Sequence, residues 1–248
     1  MYVQGFVTPV KAGDKQAYKE VAEQFWPVLQ DCGATEHVEC WEADVPDGKQ
    51  TDFRKAVALD DGEKVVFSWL VWPDKATADA GHDKMMADER MKAMDMANMP
   101  FDGKRMIHGG FTPFVGGPTG AWGASGYVTG YVIPVPEGSK DKYRQLSEIY
   151  WDHARQHGAI EQVETWETDV PDGKVTDFHR AVQVTDAEKV VFAWMVWPDQ
   201  ATAKAFQQQD FDLLSNDPRM KAIGEDMPFD GKRMIFGGFE PIVHEEAK

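Results

Sequence analysis

Two glutamates are the best candidates for acid–base chemistry in this chain. Glu39 and Glu164 each stand two residues before a tryptophan, Trp41 and Trp166. Residues two apart in a β-strand share a face, so each carboxyl group should lie beside an indole on a face that is partly covered. Burial of this kind raises the pKa of a carboxyl group, which suits a general acid or base. The sequence therefore makes Glu39 and Glu164 the catalytic candidates.

Aromatic and basic side chains supply the candidates for ligand binding. Tryptophans would line a pocket for a small organic molecule, and an arginine opens the last predicted strand of each half of the chain. The candidates are Trp41, Trp69, Arg105, Trp166, Trp194 and Arg233. A structural role is the alternative, since an ion pair such as Glu39 with Arg105 would close the rim of a sheet. The sequence leaves both interpretations open.

Neither a metal site nor a cofactor is predicted. Cys32, His37 and Cys40 have a spacing found in some soft-metal sites, but they supply three ligands at most. The corresponding positions in the second half of the chain keep none of them. None of the seven histidines recurs in the two halves, so haem ligation or a histidine mechanism could belong to one half only.

The two halves correspond because the chain repeats itself. Residues 2–72 align without a gap with residues 127–197, and 38 of these 71 positions are identical. Residues 99–111 match residues 227–239 at 12 of 13 positions, after a four-residue insertion and a one-residue deletion. Similarity of this length indicates two copies of one structural unit.

A glycine-rich segment separates the copies. We assign the first repeat to residues 1–115, a flexible linker to residues 116–126 and the second repeat to residues 127–248. Each repeat would then be a unit of ordinary domain size.

Each repeat is predicted to follow the order βαβββαβ, with one or two helices in its second helical region. Residues 14–32 carry apolar side chains at helical spacing and end at Gly33, a typical left-handed cap. We predict a hairpin in which residues 46–49 join strands 38–45 and 53–59. This pattern is typical of a ferredoxin-like α+β unit with helices on one face of an antiparallel sheet. The bare faces of the two sheets would pack together, giving an intrachain pseudo-dimer.

Composition limits the partners that the chain can have. Its net charge is −16 over 248 residues, which disfavours nucleic acids and anionic membranes, so we predict neither as a partner. The sequence lacks a transmembrane-length apolar run and a signal-peptide pattern and has only two cysteines, so a cytoplasmic location is expected. The pseudo-dimer could remain a monomer or pair again as a homodimer.

Three stretches carry a family resemblance: VECWEADVPDGKQTDFRKAV, EKVVFSW and MPFDGKRMIHGGF. They resemble signature segments of the YbaA-like family of small bacterial proteins of unknown function, and the resemblance extends over both repeats. The usual member is a single unit, so this chain resembles two members fused in tandem. The resemblance implies a dimeric α+β barrel and no catalytic residues. Cofactor-free monooxygenases, haem-handling enzymes and lactone isomerases share the wider fold, which is an analogy of fold alone.

Two functional hypotheses from different classes follow. In the first, the chain binds a small organic molecule in a pocket between the sheets, or between sheet and helices. Proton-transfer or cofactor-free oxygenase chemistry would then use Glu39 or Glu164 as the base. In the second, the chain is a non-catalytic structural or stress-related protein with a solidly packed barrel. A barrel filled with Trp and Phe favours the second hypothesis, and a void lined by acids and tryptophans favours the first.

Overall fold

A computed structural model describes residues 1–94, 98–120, 122–123, 125–224 and 226–247. The first repeat contains β1 (Tyr2–Lys11), α1 (Lys15–Cys32), β2 (Glu36–Asp44), α2 (Phe53–Ala56), β3 (Glu63–Trp72), α3 (Lys75–Ala87), α4 (Glu89–Lys92) and β4 (Ile107–Gly116). The second contains β5 (Tyr127–Pro136), α5 (Lys140–Gln156), β6 (Glu161–Asp169), α6 (Phe178–Ala181), β7 (Glu188–Trp197), α7 (Gln200–Gln207), α8 (Asp210–Asn216), α9 (Met220–Ile223) and β8 (Ile235–Glu246). No helix among the described residues is long and apolar enough to cross a lipid bilayer.

The strands form one closed barrel. Their order around it is β1-β3-β2-β8-β5-β7-β6-β4, and every neighbouring pair is antiparallel. The last strand of each repeat joins the two units, since β4 pairs with β6 and β8 pairs with β2. The long helices α1 and α5 lie against the outer face of the barrel, and α1 ends at Gly33 with a φ of 108°. The predicted α+β barrel of two ferredoxin-like units is therefore confirmed.

One predicted strand is wrong. Residues 53–59 do not form a strand, because Phe53–Ala56 form the short helix α2. Asp52 caps this helix by accepting hydrogen bonds from the backbone N–H groups of Lys55 at 2.8 Å and Gly48 at 3.0 Å. Each unit therefore has four strands, and the fifth strand of the predicted pattern is a helical turn in both repeats.

Aromatic rings from both repeats fill the barrel. Phe67 stacks on Phe192 with ring centroids 4.6 Å apart, and Trp69 stacks on Trp194 at 4.4 Å. The members of each pair occupy the same position in the two repeats, so they meet across the pseudo-twofold axis of the barrel. A single buried cluster contains all four rings, which means that the two repeats share one core.

The connection between the repeats is packed rather than free, contrary to the predicted flexible linker. Trp122 is only 7% exposed and stacks on His244 with centroids 4.2 Å apart. Thr119 donates hydrogen bonds from its backbone N–H and its hydroxyl to Glu161, at 2.7 and 2.6 Å. Residues 121 and 124 lie outside the described residues. The linker side chains therefore help to cover one end of the barrel.

Candidate functional site

Each repeat contains a pocket between the outer face of the barrel and its long helix. The first pocket lies under α1 and has a volume of about 420 Å³, and the second lies under α5 with about 460 Å³. Both volumes suit a small organic ligand. Exposed apolar side chains border the pockets, namely Met86 in the first and Phe211, Met227 and Phe236 in the second. Exposed apolar groups of this size mark surfaces that can bind an apolar molecule.

The second pocket contains a buried carboxyl group without a cationic partner. Strand β6 directs Glu164 outward, where the Tyr143 hydroxyl donates to it at 2.8 Å and the Ser147 hydroxyl at 3.0 Å, both from α5. The side-chain amide of Gln162 donates at 3.0 Å. Burial raises the pKa of Glu164 to about 7, and these neutral hydrogen-bond donors offset the effect only in part. Within the described part of the chain, no lysine or arginine forms an ion pair with it.

The first pocket contains a carboxylate–imidazole pair instead. Glu39 accepts a hydrogen bond from the Tyr18 hydroxyl at 2.8 Å, and its other oxygen lies 2.9 Å from Nε2 of His37. The His37 ring stacks on Trp26, with centroids 6.2 Å apart. Burial raises the pKa of Tyr18 well above its usual value, with Glu39 adding to the effect. The Tyr–Glu pair is thus common to both pockets. The residue beside the glutamate differs, since it is His37 in the first pocket and Gln162 in the second.

The second pocket has a further polar group. The Tyr150 hydroxyl donates to Asp210, the first residue of α8, at 3.2 Å. Burial raises the pKa of Asp210 and raises that of Tyr150 well above its usual value. The hydroxyl of Tyr131, on β5, lies beside that of Tyr150 and also has a raised pKa because of burial. The second pocket therefore has two carboxyl groups, each paired with a phenol.

The structure separates the sequence-predicted tryptophans from the predicted glutamates. Glu39 and Glu164 line the two pockets. Trp41 and Trp166 share their outer face but pack beside the pockets, in clusters with Tyr18 and Tyr143. Trp69 and Trp194 border the pockets through their strands. Their indoles point into the barrel core, where they donate to Glu36 and Glu161.

The predicted ion pair between Glu39 and Arg105 is wrong. Arg105 precedes β4 and binds Glu63 through two hydrogen bonds of 2.8 Å. Arg233 binds Glu188 in the same way in the second repeat, at 2.8 and 2.6 Å. Glu39 lies on the outer face of β2, under α1, where its partners are Tyr18 and His37. Neither arginine lines either of the two outer pockets described above.

The sequence patterns do not identify several of the residues that line the pockets. Tyr18 and Tyr143 recur at one repeat position, which was a usable signal, but their helical spacing suggested core packing alone. Ser147, Tyr150 and Asp210 have no polar counterpart at their aligned positions, so comparing the repeats for shared residues misses them.

One set of possible metal ligands comes together among the described residues, outside both pockets. Oxygen or nitrogen atoms of Glu36, His244 and Glu246 lie within 4.8 Å of one another where β2 meets β8. His244 is already hydrogen-bonded to Glu36 at 3.2 Å. The Cys32–His37–Cys40 spacing does not assemble a site. Cys40 lies in the barrel core, whereas Cys32 is the last residue of α1 and packs in a separate apolar cluster.

Comparisons with known proteins agree with the repeats and the barrel. The family model described as "Protein of unknown function (DUF1428)" matches residues 1–103 and 126–231. The chain is 53% identical to the uncharacterized protein YbaA of Escherichia coli K12 over 114 residues, which are 46% of this chain and 97% of YbaA.

Similar solved structures include a candidate monooxygenase from Fusobacterium nucleatum, with a TM-score of 0.57 and 10% identity, covering 99% of this chain and 94% of that one. An anthrone oxidase-like protein has a TM-score of 0.56 and 12% identity, covering 99% and 93%. At such identities these likenesses show the fold alone.

Proposed function

We propose that this chain, which belongs to the DUF1428 family of proteins of unknown function as a tandem duplication of a YbaA-like unit, binds a small organic molecule in each outer pocket. In the second pocket, Glu164 exchanges a proton with the bound molecule. One observation carries the proposal: a carboxyl group with a pKa of about 7 is buried in a largely apolar pocket, and its hydrogen-bond partners are neutral donors. The proposal needs no cofactor.

The chemistry follows from the state of Glu164 at neutral pH. With a pKa of about 7, both forms of the carboxyl group are populated, so the residue can take a proton and return it. The favoured substrate is an aromatic or enolisable molecule, because the pocket walls are apolar and the base needs an acidic C–H or O–H group. The candidate monooxygenases with this barrel support oxygenase chemistry only as an analogy of fold.

A chromogenic proton-transfer probe tests the proposal. When a base removes the C3 proton of 5-nitrobenzisoxazole, the electron pair of the C–H bond forms the nitrile and the ring N–O bond breaks, giving a coloured phenolate. We expect the protein to accelerate this reaction, with a rate that rises with pH through about 7. Glu164→Gln should abolish the acceleration.

Two further variants locate the base. Glu148→Gln removes a charge from the exposed face of α5 and should leave the rate unchanged. An active Glu164→Gln variant, or a loss of rate in Glu39→Gln alone, would overturn the assignment of the base to the second pocket.

A structural role is the second candidate, and the filled barrel favours it. Stacked Phe and Trp rings occupy the barrel interior, which leaves the outer pockets as the proposed binding sites. If no small aromatic molecule binds to either pocket, the structural role becomes the better account. In both cases we propose a cytoplasmic protein, since Cys32 and Cys40 are free thiols.

The acidic chain should not bind nucleic acid. A gel shift at moderate salt checks this, and retardation of DNA or RNA would contradict it.

A further inference from the structure

We propose that the two pockets accept different ligands: the second takes an aromatic molecule with a hydroxyl group at each end, held by two tyrosine–carboxyl pairs. The first has one such pair and takes a molecule with one hydroxyl end, whose remainder meets imidazole and apolar side chains. This inference rests on the proposed function, small-molecule binding in both pockets. It adds the class of ligand and the residues that discriminate between the two classes.

Both pockets share one polar end. A tyrosine of the long helix donates to the strand glutamate at 2.8 Å in each repeat, Tyr18 to Glu39 and Tyr143 to Glu164. A hydroxyl group of a ligand can bind here in either pocket, because it can donate to a free lone pair of the glutamate or of the tyrosine oxygen.

Among the described residues, only the second pocket has another tyrosine–carboxyl pair at its other end. Tyr150 donates to Asp210 at 3.2 Å, and the repeat counterpart of Tyr150 is Phe25. Asp210 begins α8, in the part of the second repeat that carries the four-residue insertion. The first repeat lines that side of its pocket with His82, Met85 and Met86, and the part of it that the structure describes has no carboxyl group there.

Neighbouring exchanges strengthen this difference. Tyr131 places a hydroxyl beside Tyr150, whereas its counterpart is Phe6. In the first pocket, Thr8 and Ser68 place hydroxyls beside Tyr18, whereas their counterparts are Ile133 and Ala193. At the end where the second pocket has these phenols, the first has imidazoles: His82 and His108 line it, and the His108 ring stacks on Phe6 with centroids 6.4 Å apart. The two pockets therefore share one polar end and differ in the chemistry of the other.

Helix geometry gives the length of the ligand. Tyr143 and Tyr150 are seven residues apart on α5, which is two turns and about 10 Å along the helix axis. A ligand that contacts both polar ends must span a comparable length, which suits two fused aromatic rings with hydroxyl groups at opposite ends. Leu146, between the two tyrosines along α5, lines the pocket with an apolar side chain, and Phe229 packs edge-on against Tyr143 at one end.

Paired probes test the inference by isothermal titration calorimetry. The probes are 2,6-dihydroxynaphthalene, polar at both ends, and 2-naphthol, polar at one. We expect the native protein to bind 2-naphthol in both pockets and the diol more tightly in one. Tyr150→Phe and Asp210→Asn should each weaken the diol about fivefold, as expected for one lost hydrogen bond. Both variants should leave the 2-naphthol affinity within about twofold.

Each outcome decides between the proposals. Asp212→Asn, on the exposed side of α8, is the matched control and should bind both probes like the native protein. If both probes bind but neither variant selects against the diol, the two-ended ligand is refuted while the proposed function stands. If neither probe binds the native protein, both proposals fail. Should Tyr150→Phe fold poorly, as judged by its melting temperature, Asp210→Asn still gives the answer.

Discussion

Glu164 should make the folded protein less stable as the pH rises from acid to neutral. Its pKa is about 7 in the folded state and 4.5 in its ordinary state. Below 4.5 the carboxyl group is protonated in both the folded and the unfolded chain. Between 4.5 and about 7 the unfolded chain releases its proton first, so the free energy of unfolding falls with rising pH and levels off above that range. The separation corresponds to about 3 kcal/mol.

Glu164→Gln removes this dependence while keeping the size and planar shape of the side chain. Urea unfolding of the native protein and the variant should be followed from below pH 4.5 to above pH 7. As the pH rises over that range, the free energy of unfolding of the variant should increase by about 3 kcal/mol relative to that of the native protein. A difference that stays constant with pH would refute the claim that burial controls this carboxyl group.

Glu188→Gln is a control with the opposite sign. Hydrogen bonds from Arg233 lower the pKa of Glu188, and its side chain is only 7% exposed. A carboxyl group with a lowered pKa stabilises the protein above its ordinary pKa, and that contribution is lost as the pH falls. Glu188→Gln should therefore be less stable than the native protein at neutral pH, with a difference that shrinks in acid. A shift in the same direction as for Glu164→Gln would point to net charge instead.

Three further changes test the barrel by urea unfolding. Gly130→Ala places a Cβ 2.9 Å from the Phe67 ring and should lower the free energy of unfolding by about 1–3 kcal/mol. Gly138→Ala is the control, because its Cβ meets no atom within 4 Å, and it should be neutral. Equal effects of the two substitutions would contradict the close approach of Gly130 to Phe67. Trp122→Ala removes a side chain that is 7% exposed and should cost about 3–5 kcal/mol, and a cost near zero would mean that the linker does not cover the barrel. Arg233→Met leaves the buried Glu188 carboxylate without its partner and should lower the free energy of unfolding by about 3 kcal/mol at neutral pH, and by less in acid. An unchanged stability would refute the structural role of Arg233.

The fold was largely predictable because the repeats carry their own control. Apolar patterns that occur twice indicated the same strands and helices in both halves, and two sheets with bare faces had one obvious way to cover them. The error at residues 53–59 has a local cause. Phe53, Ala56 and Val57 fit a short strand as well as a helical turn, and the Asp52 side chain decides in favour of the helix by capping it.

The site was predictable only where it repeats. Glu39 and Glu164 recur, and both line pockets. The indoles of Trp69 and Trp194 were misplaced because β3 and β7 are apolar on both faces, so the pattern did not tell which face lines the barrel. Asp210 reaches Tyr150 from another helix, a contact between distant residues that spacing does not encode.

Positions that line the outer pockets differ between the repeats more often than positions in the barrel core do. Most barrel-core residues are the same in both copies, as Phe67 and Trp69 show with their counterparts Phe192 and Trp194, although Cys40 corresponds to Thr165.

Pocket residues differ in polarity, as in the exchanges Ala22/Ser147, Phe25/Tyr150 and His37/Gln162. Each core ring stacks on its counterpart across the pseudo-twofold axis, so a substitution in one repeat also alters the packing of the other. A substitution in one outer pocket has no such effect on the second pocket. A barrel built from two identical chains must have two identical pockets. Fusion of the copies removes that constraint, so one polypeptide can keep a single core and still distinguish two ligands.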